Sequence, residues 1–584
     1  MASGPIPAPP RTQALSSPTF IPPPLDGTLT IAQLYDWHFH NSPRHRLFVY
    51  PLADGSTRTI FLSEAIRAAY VGSTILRQRF GWLPGTDSKP VVSILAPSET
   101  ITYFILFLSC LRANYVVFPI SPRLSAPAIA NLIHNAGVKY LLVTPATSDL
   151  ADAAIQTLKD QYADTVAPDL FPLPSFEDLF TPEKTVLPED IPYEASGIDD
   201  VACLLHSSGS TSFPKLLSWS NRQCMQVALT PWFGERDLTN LVMCINLIPM
   251  YHGTGIAQIF WAASCGLVFS VFEPTSPPTV PTPENVFRGA QITGGDLVFG
   301  VPSFIDAWSQ DSECLNWLAT RTGVIFGGGP LNQKSGDYLC SKGITVFLAY
   351  GLTEGGIVSP VVPAHVDSDW NYFKFSKRIS AEMVPYGDNT FELVVLPNPF
   401  CTPSVLNTNI RGISGYATSD LLEPHPTKPG YWKIFGRKDD QIIHSTGEKT
   451  NPGPLEDMLA SDPHIMSAVI FGDKQTEPGL LVEPRSAFQL DTTDANQVAV
   501  YLDLIWPAVE KLNLFAPQQS RIRKQMVLVA NKSKPFTYTA KMTIRRQAII
   551  ADYQEEIREL YATAETVPQR VPAGEDATVQ ALSS

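Results

Sequence analysis

The sequence predicts an α/β protein in which parallel sheets with covered faces are followed by a β-rich segment and then by a second, smaller α/β unit. Three observations carry this. Short apolar runs alternate with helix-like stretches through the first half of the chain and beyond. Residues 386–436 break that rhythm, with strand-like runs set between Pro, Gly and Asn turns. After Gly436-Arg-Lys-Asp-Asp440 the alternation resumes and continues to about Glu565. Strands alternating with helices point to βα units, whose crossovers cover both faces of a parallel sheet.

In chain order, residues 1–27 hold many prolines and little periodicity and read as a flexible arm. Residues 91–96 are an apolar, β-branched strand; 100–113 are helix-like; 115–120 are a second strand; 126–136 are helix-like; 140–144 are a third strand. Residues 200–205 form a strand that runs into a polar loop, and 344–348 form another. Residues 390–396 and 431–435 are strands of a small barrel or meander. These divisions place the main domain at 28–436 and a C-terminal domain at 437–565. Residues 566–584 are polar without apolar periodicity and read as a linker toward a further domain.

Composition narrows the function classes. A chain of 584 residues, 44% of them hydrophobic, can build several cores, about three or four domains by length alone. Its formal charge of −14, with no lysine or arginine block, argues against nucleic-acid or anionic-membrane partners. The 8 cysteines are scattered without a CxxC pair, which suggests neither a disulfide framework nor a zinc site. They fit a reducing, cytoplasmic compartment. His38 and His40 read as structural. The N-terminus is proline-rich and polar, unlike a signal peptide. The most apolar stretch, 101–111, falls well short of the about 20 residues a bilayer span needs, so it reads as a buried helix.

Six segments carry chemistry. Leu205-His-Ser-Ser-Gly-Ser-Thr-Ser-Phe-Pro-Lys215 follows a strand and gathers hydroxyls, a glycine and a lysine, the makings of a phosphate-cradling loop. Ala349-Tyr-Gly-Leu-Thr-Glu354 follows another strand and offers a ring for a base, a hydroxyl for a phosphate and a carboxylate for a divalent cation. Just before it, Phe326-Gly-Gly-Gly-Pro-Leu331 would let backbone approach a flat ring closely. Gly415-Tyr-Ala-Thr-Ser-Asp420 ends in a carboxylate that could accept both hydroxyls of a ribose. Phe435-Gly-Arg-Lys-Asp439 with its continuation to Lys449, and Tyr538-Thr-Ala-Lys541 with Arg545 and Arg546, complete the set.

Their order and spacing resemble the adenylate-forming superfamily of acyl-CoA ligases, luciferases and nonribosomal peptide synthetase adenylation domains, over roughly residues 30–560. The segment 111–120 is similar to the family's LKAGxAYVPI, 207–215 to TSGSTGxPK, 350–354 to YGxTE, 418–420 to TGD and 436–439 to GRxD. The pairing of His206-Ser-Ser-Gly-Ser-Thr with Gly447-Glu-Lys-Thr-Asn-Pro-Gly-Pro-Leu-Glu456 resembles, more narrowly, the fungal adenylate-forming reductases. The resemblance implies two α/β subdomains plus a small β-barrel, capped by a mobile C-terminal domain. It implies ATP and Mg²⁺ as cofactors, and a carboxylic acid activated as acyl-AMP. A carrier domain in cis, bearing phosphopantetheine, would accept the acyl group, and a reductase domain would release it as an aldehyde. No Ser-bearing carrier motif and no GxGxxG fingerprint follows residue 565.

The same resemblance implies site roles. Ser207, Ser208, Gly209, Ser210, Thr211 and Lys215 would hold the β,γ-phosphates. Thr353 would touch the α-phosphate and Glu354 would ligate Mg²⁺. Tyr350 would stack on adenine, framed by Ala349, Gly328, Gly329 and Pro330. Asp420 would hold the ribose, with Arg437 beside it. Lys541 would bridge acyl carboxylate and phosphate, and Asp439 would be the hinge about which the lid turns. Ser212, Leu216 and Ser419 stand where the family has glycine, and a serine forced to φ > 0 costs about 1 kcal/mol.

The acid pocket is expected around His252, Gly253, Val301, Gly327 and Ala349. Amino-acid-activating domains place an aspartate after the aromatic-type position of Pro249-Met-Tyr-His-Gly253, to pair with the substrate ammonium; this chain has His252-Gly253. A buried ammonium without a carboxylate is costly. An aryl or aryl 2-keto acid without an α-amino group is therefore expected, with His252 beside its carboxylate. A freestanding acyl-CoA ligase and an amino-acid adenylation domain are the alternatives.

Overall fold

The computed structural model describes residues 4–85, 88–97, 99–181, 186–207, 214–366, 368–387, 389–445, 448–539 and 543–565. The chain passes from a large compact unit to a smaller one between Lys438 and Asp439.

The large unit contains two sheets of mainly parallel strands. One has six strands, in the spatial order Asp169–Pro172, Val138–Val143, Val91–Leu95, Val116–Pro119, Val201–His206, Leu216–Ser220; only the last is antiparallel to its neighbour. The other has seven, in the order Val346–Ala349, Gly323–Gly327, Leu297–Gly300, Val242–Cys244, Val268–Ser270, Arg46–Pro51, Thr57–Phe61, again with only the last antiparallel. Residues from both sheets, including Val92, Val117, Phe48 and Ile325, share one hydrophobic core. The helix Thr100–Arg112 lies in that core and is buried almost all round, as its uniformly apolar sequence requires. Glu99 caps it, accepting from the backbone N–H groups of Ile101 at 2.6 Å and Thr102 at 2.8 Å. Burial pushes that carboxyl up to about 7.

The segment read as a small barrel is a five-stranded antiparallel arrangement of Ser380–Gly387, Thr390–Leu396, Thr408–Ile410, Ile413–Pro424 and Trp432–Arg437. The long fourth strand is its spine. It pairs along one side with Thr390–Leu396, and on the other first with Thr408–Ile410 and then with Trp432–Arg437. In the small unit, Ile465–Phe471 and Gly479–Pro484 pair antiparallel, and Val527–Val529 adds to the latter in parallel. The helix Ala495–Phe515 packs its Tyr501, Ile505, Val509 and Leu512 into the same core as Ile470, Leu480 and Val482.

The N-terminal arm differs from its sequence expectation. From residue 4 onward it is packed, not flexible. Ile6 and Phe20 are each only 2% exposed. The Gln13 amide donates to the carbonyls of Pro231 at 2.9 Å and Arg236 at 2.7 Å, and its oxygen accepts from the Leu238 N–H at 2.8 Å. Proline-rich backbone needs no ladder partners, so it can lie along a surface and dock by spaced side chains, which leaves no period in the sequence. His38 is buried, with Nε2 2.7 Å from the Ala263 carbonyl oxygen, and burial pulls its pKa down to about 4. Among the described residues no helix is long and apolar enough to cross a membrane.

Candidate active site

Three parallel strands of the large unit end side by side. Gly300 pairs with Phe326 and Gly327 with Ala349, so the chain leaves all three strands at one sheet edge. Carboxyl ends of parallel strands are where α/β sheets place ligands. Val301 follows the first strand and precedes the helix Pro302–Ser309, whose first position is proline. Gly327 ends the second strand, and a Cβ there would stand 2.6 Å from the Ala349 carbonyl oxygen. Gly328 has φ +80°, and open space lies where its side chain would be. Ala349 ends the third strand and delivers Tyr350.

Beyond Tyr350 a short hairpin, Gly351–Leu352 against Gly356–Ile357, carries Thr353, Glu354 and Gly355 at its turn. Its carbonyls are tethered one by one. Trp219 Nε1 donates to the Thr353 carbonyl at 3.1 Å and the Ser404 N–H to that of Glu354 at 2.8 Å. Arg378 Nη2 donates to those of Gly355 at 3.1 Å and Ile357 at 2.9 Å. Burial, and after it the charge of Glu354, pushes the neighbouring Tyr416 phenol up.

Beside Gly253 the six-stranded sheet also reaches this turn. A Cβ on it would lie 3.9 Å from Thr353 Cγ2, 3.9 Å from Trp219 Cη2 and 4.0 Å from Leu205 Cδ1. His252 opens the helix Gly253–Cys265 in extended backbone, with its ring 4.8 Å from that of Tyr251. The strand of Leu205 ends at His206, and the Ser207 N–H donates to the Lys215 carbonyl at 3.0 Å. That bond closes the stem of the hydroxyl-rich loop. Ser208, Gly209, Ser210, Thr211 and Ser212 themselves lie outside the described residues, as do Gly447 and Lys541.

Asp420 completes the edge. It sits on Ile413–Pro424 directly opposite Arg437 and is 8% exposed. One carboxylate oxygen accepts from Arg437 Nη1 at 2.9 Å, the other from the Tyr350 hydroxyl at 2.5 Å. Burial and the Asp420 charge push the Tyr350 phenol well above its ordinary range, so it remains a donor. The Tyr350 ring is 7% exposed and packs 5.2 Å from Phe373, and its hydroxyl holds Asp420. Ser419 has φ +62°, so this serine occupies a left-handed position that favours glycine. Ser419→Gly relieves that strain but loosens the unfolded chain, and a net stabilisation of about 0.5 kcal/mol is expected. A higher urea midpoint at unchanged slope checks it.

The residues selected from sequence are thus brought together, where described, at one edge of the large unit. Asp439 is the exception, as the first residue of the small unit. Trp219, Arg378, Ser404 and Tyr416, which support the edge, were not among them. Of these only Tyr416 falls inside a quoted motif.

Comparison with known proteins places the chain in a family. A family described as AMP-binding enzyme matches residues 76–379, and one described as AMP-binding enzyme C-terminal domain matches 439–565. The adenylate-forming reductase Nps10 of Heterobasidion annosum is 46% identical over 97% of this chain and 53% of its own length. Adenylate-forming reductase Nps11 of Serpula lacrymans var. lacrymans is 32% identical over 93% of this chain and 50% of its own. A carboxylic acid reductase of Neurospora crassa is 27% identical over 82% and 45%. The chain therefore spans about half the length of these curated relatives. ATP-bound MatB from Rhodopseudomonas palustris shares the fold with a TM-score of 0.65 at 17% identity, covering 91% of this chain and 100% of that one. The o-succinylbenzoate coenzyme A synthetase of Bacillus subtilis, solved with ATP and magnesium, does so with a TM-score of 0.66 at 16% identity, covering 88% and 98%. The chain belongs to the AMP-binding, adenylate-forming enzymes, which activate an acid as acyl-AMP, and along its length it is similar to part of the adenylate-forming reductases.

Proposed function

We propose that the chain activates an aryl or aryl 2-keto acid lacking an α-amino group, and passes the acyl group to the phosphopantetheine thiol of a carrier domain. In the first step a carboxylate oxygen attacks the α-phosphorus of ATP. The new O–P bond forms as the bond to pyrophosphate breaks. In the second the thiolate attacks the acyl carbon and AMP leaves. In a longer protein of this type, a reductase domain would deliver hydride from NADPH and free the aldehyde. The observation that carries the choice of acid is the surroundings of Gly253: its nearest neighbours are Thr353, Trp219 and Leu205, and none is a carboxylate. An ammonium placed there would lack a counter-charge.

The donor set suits a nucleotide. Asp420, fixed by Tyr350 and Arg437, offers carboxylate oxygen to ribose hydroxyls. Tyr350, Ala349 and the Gly328–Gly329–Pro330 backbone would border the base. Thr353 and Lys215, with Ser207, Ser208, Gly209, Ser210 and Thr211, would donate to phosphate oxygens. Glu354 would hold Mg²⁺, whose charge offsets that of the phosphates. His252, Gly253, Val301, Gly327 and Ala349 would line the acid pocket. Lys541 would supply the bridging cation, and Asp439 the hinge. These groups act by positioning and by stabilising charge that develops in the transition state. All 8 cysteines are free, which supports a reducing, cytoplasmic setting.

The test is ATP–pyrophosphate exchange over a panel of acids. Benzoate-type or arylpyruvate acids are expected to stimulate exchange, and the twenty proteinogenic amino acids are not. Strong stimulation by a single L-amino acid would overturn the assignment. Acyl transfer to a phosphopantetheinylated carrier in preference to free CoA is the companion result; preference for CoA would favour a freestanding ligase.

A further inference from the structure

We propose that Arg378 is a positioning residue for the turn that carries Thr353 and Glu354, setting their placement from behind through the backbone. This rests on the reading of that turn as the phosphate and Mg²⁺ site. Arg378 is 1% exposed. Its Nη2 donates to the carbonyls of Gly355 and Ile357, and its Nη1 to that of Phe400 at 3.0 Å. Among the described residues no carboxylate lies within ion-pairing distance of it. Burial pulls the guanidinium pKa down, and Cys401 beside it works weakly the other way.

A cation in such a place is expensive. Burying a charge without a counter-charge costs several kcal/mol, and carbonyl dipoles recover only part of that. A buried apolar side chain would satisfy the core better. What it could not do is donate to three carbonyls from two segments at once. The planar fork of arginine does that in a fixed geometry, and the ammonium of lysine does not. Two of the three carbonyls belong to Gly355 and Ile357, one and three positions after Glu354. The third belongs to Phe400, in the loop whose Ser404 N–H holds the Glu354 carbonyl itself. Gln226 extends the bracing: its amide nitrogen donates to the Pro399 carbonyl at 3.0 Å, and its oxygen accepts from the Thr402 N–H at 2.9 Å.

The geometry has a direction. Carbonyls of the turn are drawn toward Trp219, Ser404 and Arg378. Gly356 shares in this: its φ is +75°, and a Cβ on it would stand 3.3 Å from Arg378 Nη2. The turn is thereby held close against the guanidinium, and Glu354 and Thr353 are presented in a fixed orientation. Site groups held to within a fraction of an ångström are what charge-positioning chemistry requires.

The experiment compares wild type, Arg378→Lys and Arg378→Met in ATP–pyrophosphate exchange with the acid that stimulates the wild-type protein, titrating Mg²⁺ at fixed ATP. Folded variants, judged by far-UV circular dichroism and a cooperative melt, are expected to lose about ten- to a hundredfold in kcat. The Mg²⁺ half-saturation is expected to rise several-fold while the KM for the acid stays within about twofold of wild type. A merely structural arginine would lower the amount of active protein and leave the Mg²⁺ half-saturation unmoved, and that result overturns the proposal. Should both variants fail to fold, Trp219→Phe decides instead. It removes only the N–H donated to the Thr353 carbonyl and keeps a ring in place. The same Mg²⁺ shift, smaller in size, supports the clamp; an unchanged half-saturation refutes it. Wild type inactive with every acid tested would instead count against the adenylation reading.

Discussion

Asp420→Ala is expected to weaken AMP binding on the order of a hundredfold and to remove detectable adenylate formation. The magnitude follows from the partners. Two charge-assisted hydrogen bonds from a ribose to a fixed carboxylate are worth about 1.5–3 kcal/mol each at most. The carboxylate is fixed because one oxygen is held by Arg437 and the other by Tyr350, at 2.9 and 2.5 Å. Removing it also strands those two donors. Truncating one partner of a buried pair costs about 3–5 kcal/mol. Here the Arg437 side chain is 44% exposed and water can replace its partner, so a loss nearer to about 2 kcal/mol is expected. Asp420→Asn separates the two effects. The amide still accepts from one donor, so most of the stability returns, while the charge proposed to order the ribose hydroxyls does not. Calorimetric titration with AMP, alongside urea denaturation of both variants, reads the two quantities apart. Tight AMP binding by a folded Asp420→Ala protein would remove Asp420 from the nucleotide site.

Elements with a strong period were legible in the sequence to within a residue or two. The helix expected at 100–113 is Thr100–Arg112, and the one at 126–136 is Ala126–Ala136. The strand expected at 390–396 is Thr390–Leu396. These segments are dictated locally, by apolar periodicity and by caps such as Glu99 and Gly137. Candidate site residues could be selected where they lie in short motifs, whereas the contacts that join them across the chain could not be read. Tyr350 and Asp420 stand in separate motifs, and nothing in either says that they bond to each other. Trp219 reaches Thr353 from 134 positions away. Arg378 lies in an unremarked run, Phe375-Ser-Lys-Arg378, where an arginine reads as a solvated surface charge. Its burial depends on a sheet and a hairpin built elsewhere. The N-terminal arm failed for a different reason. Its docking uses isolated side chains, Ile6, Gln13 and Phe20, on proline-rich backbone, a mode with no period to detect.

The second large effect expected is a split between half-reactions in Lys541→Ala. Adenylate formation should fall by about 10²–10³, since under the proposed assignment a cation that bridges carboxylate and phosphate is lost where charge develops. Transfer from a preformed acyl-adenylate to the carrier thiol should stay within about threefold of wild type, because in that step the lysine has no reacting atom to serve. The split requires the small unit to act in two ways, and therefore a pivot. The proposed pivot is Asp439. On its large-unit side, the Lys438 N–H donates to the Ser419 carbonyl at 2.7 Å and its ammonium to Glu392 at 2.9 Å. On its small-unit side, Asp440 lies 3.6 Å from Arg546, whose guanidinium also grips the buried Glu456 and donates to the Ile470 carbonyl at 2.9 Å. The chain is thus anchored to one unit just before Asp439 and to the other just after it. Rotation would concentrate on the dihedrals between the anchors, as in hinges that absorb motion at a few residues. Asp439→Pro restricts that rotation by fixing φ. It should preserve one half-reaction and suppress the other, whichever orientation the proline favours. Rapid-quench measurement of both half-reactions in the two variants is the check. Equal loss of both steps in Lys541→Ala would mean that the lysine supports the fold or the nucleotide generally, and the two-orientation mechanism would fall with it.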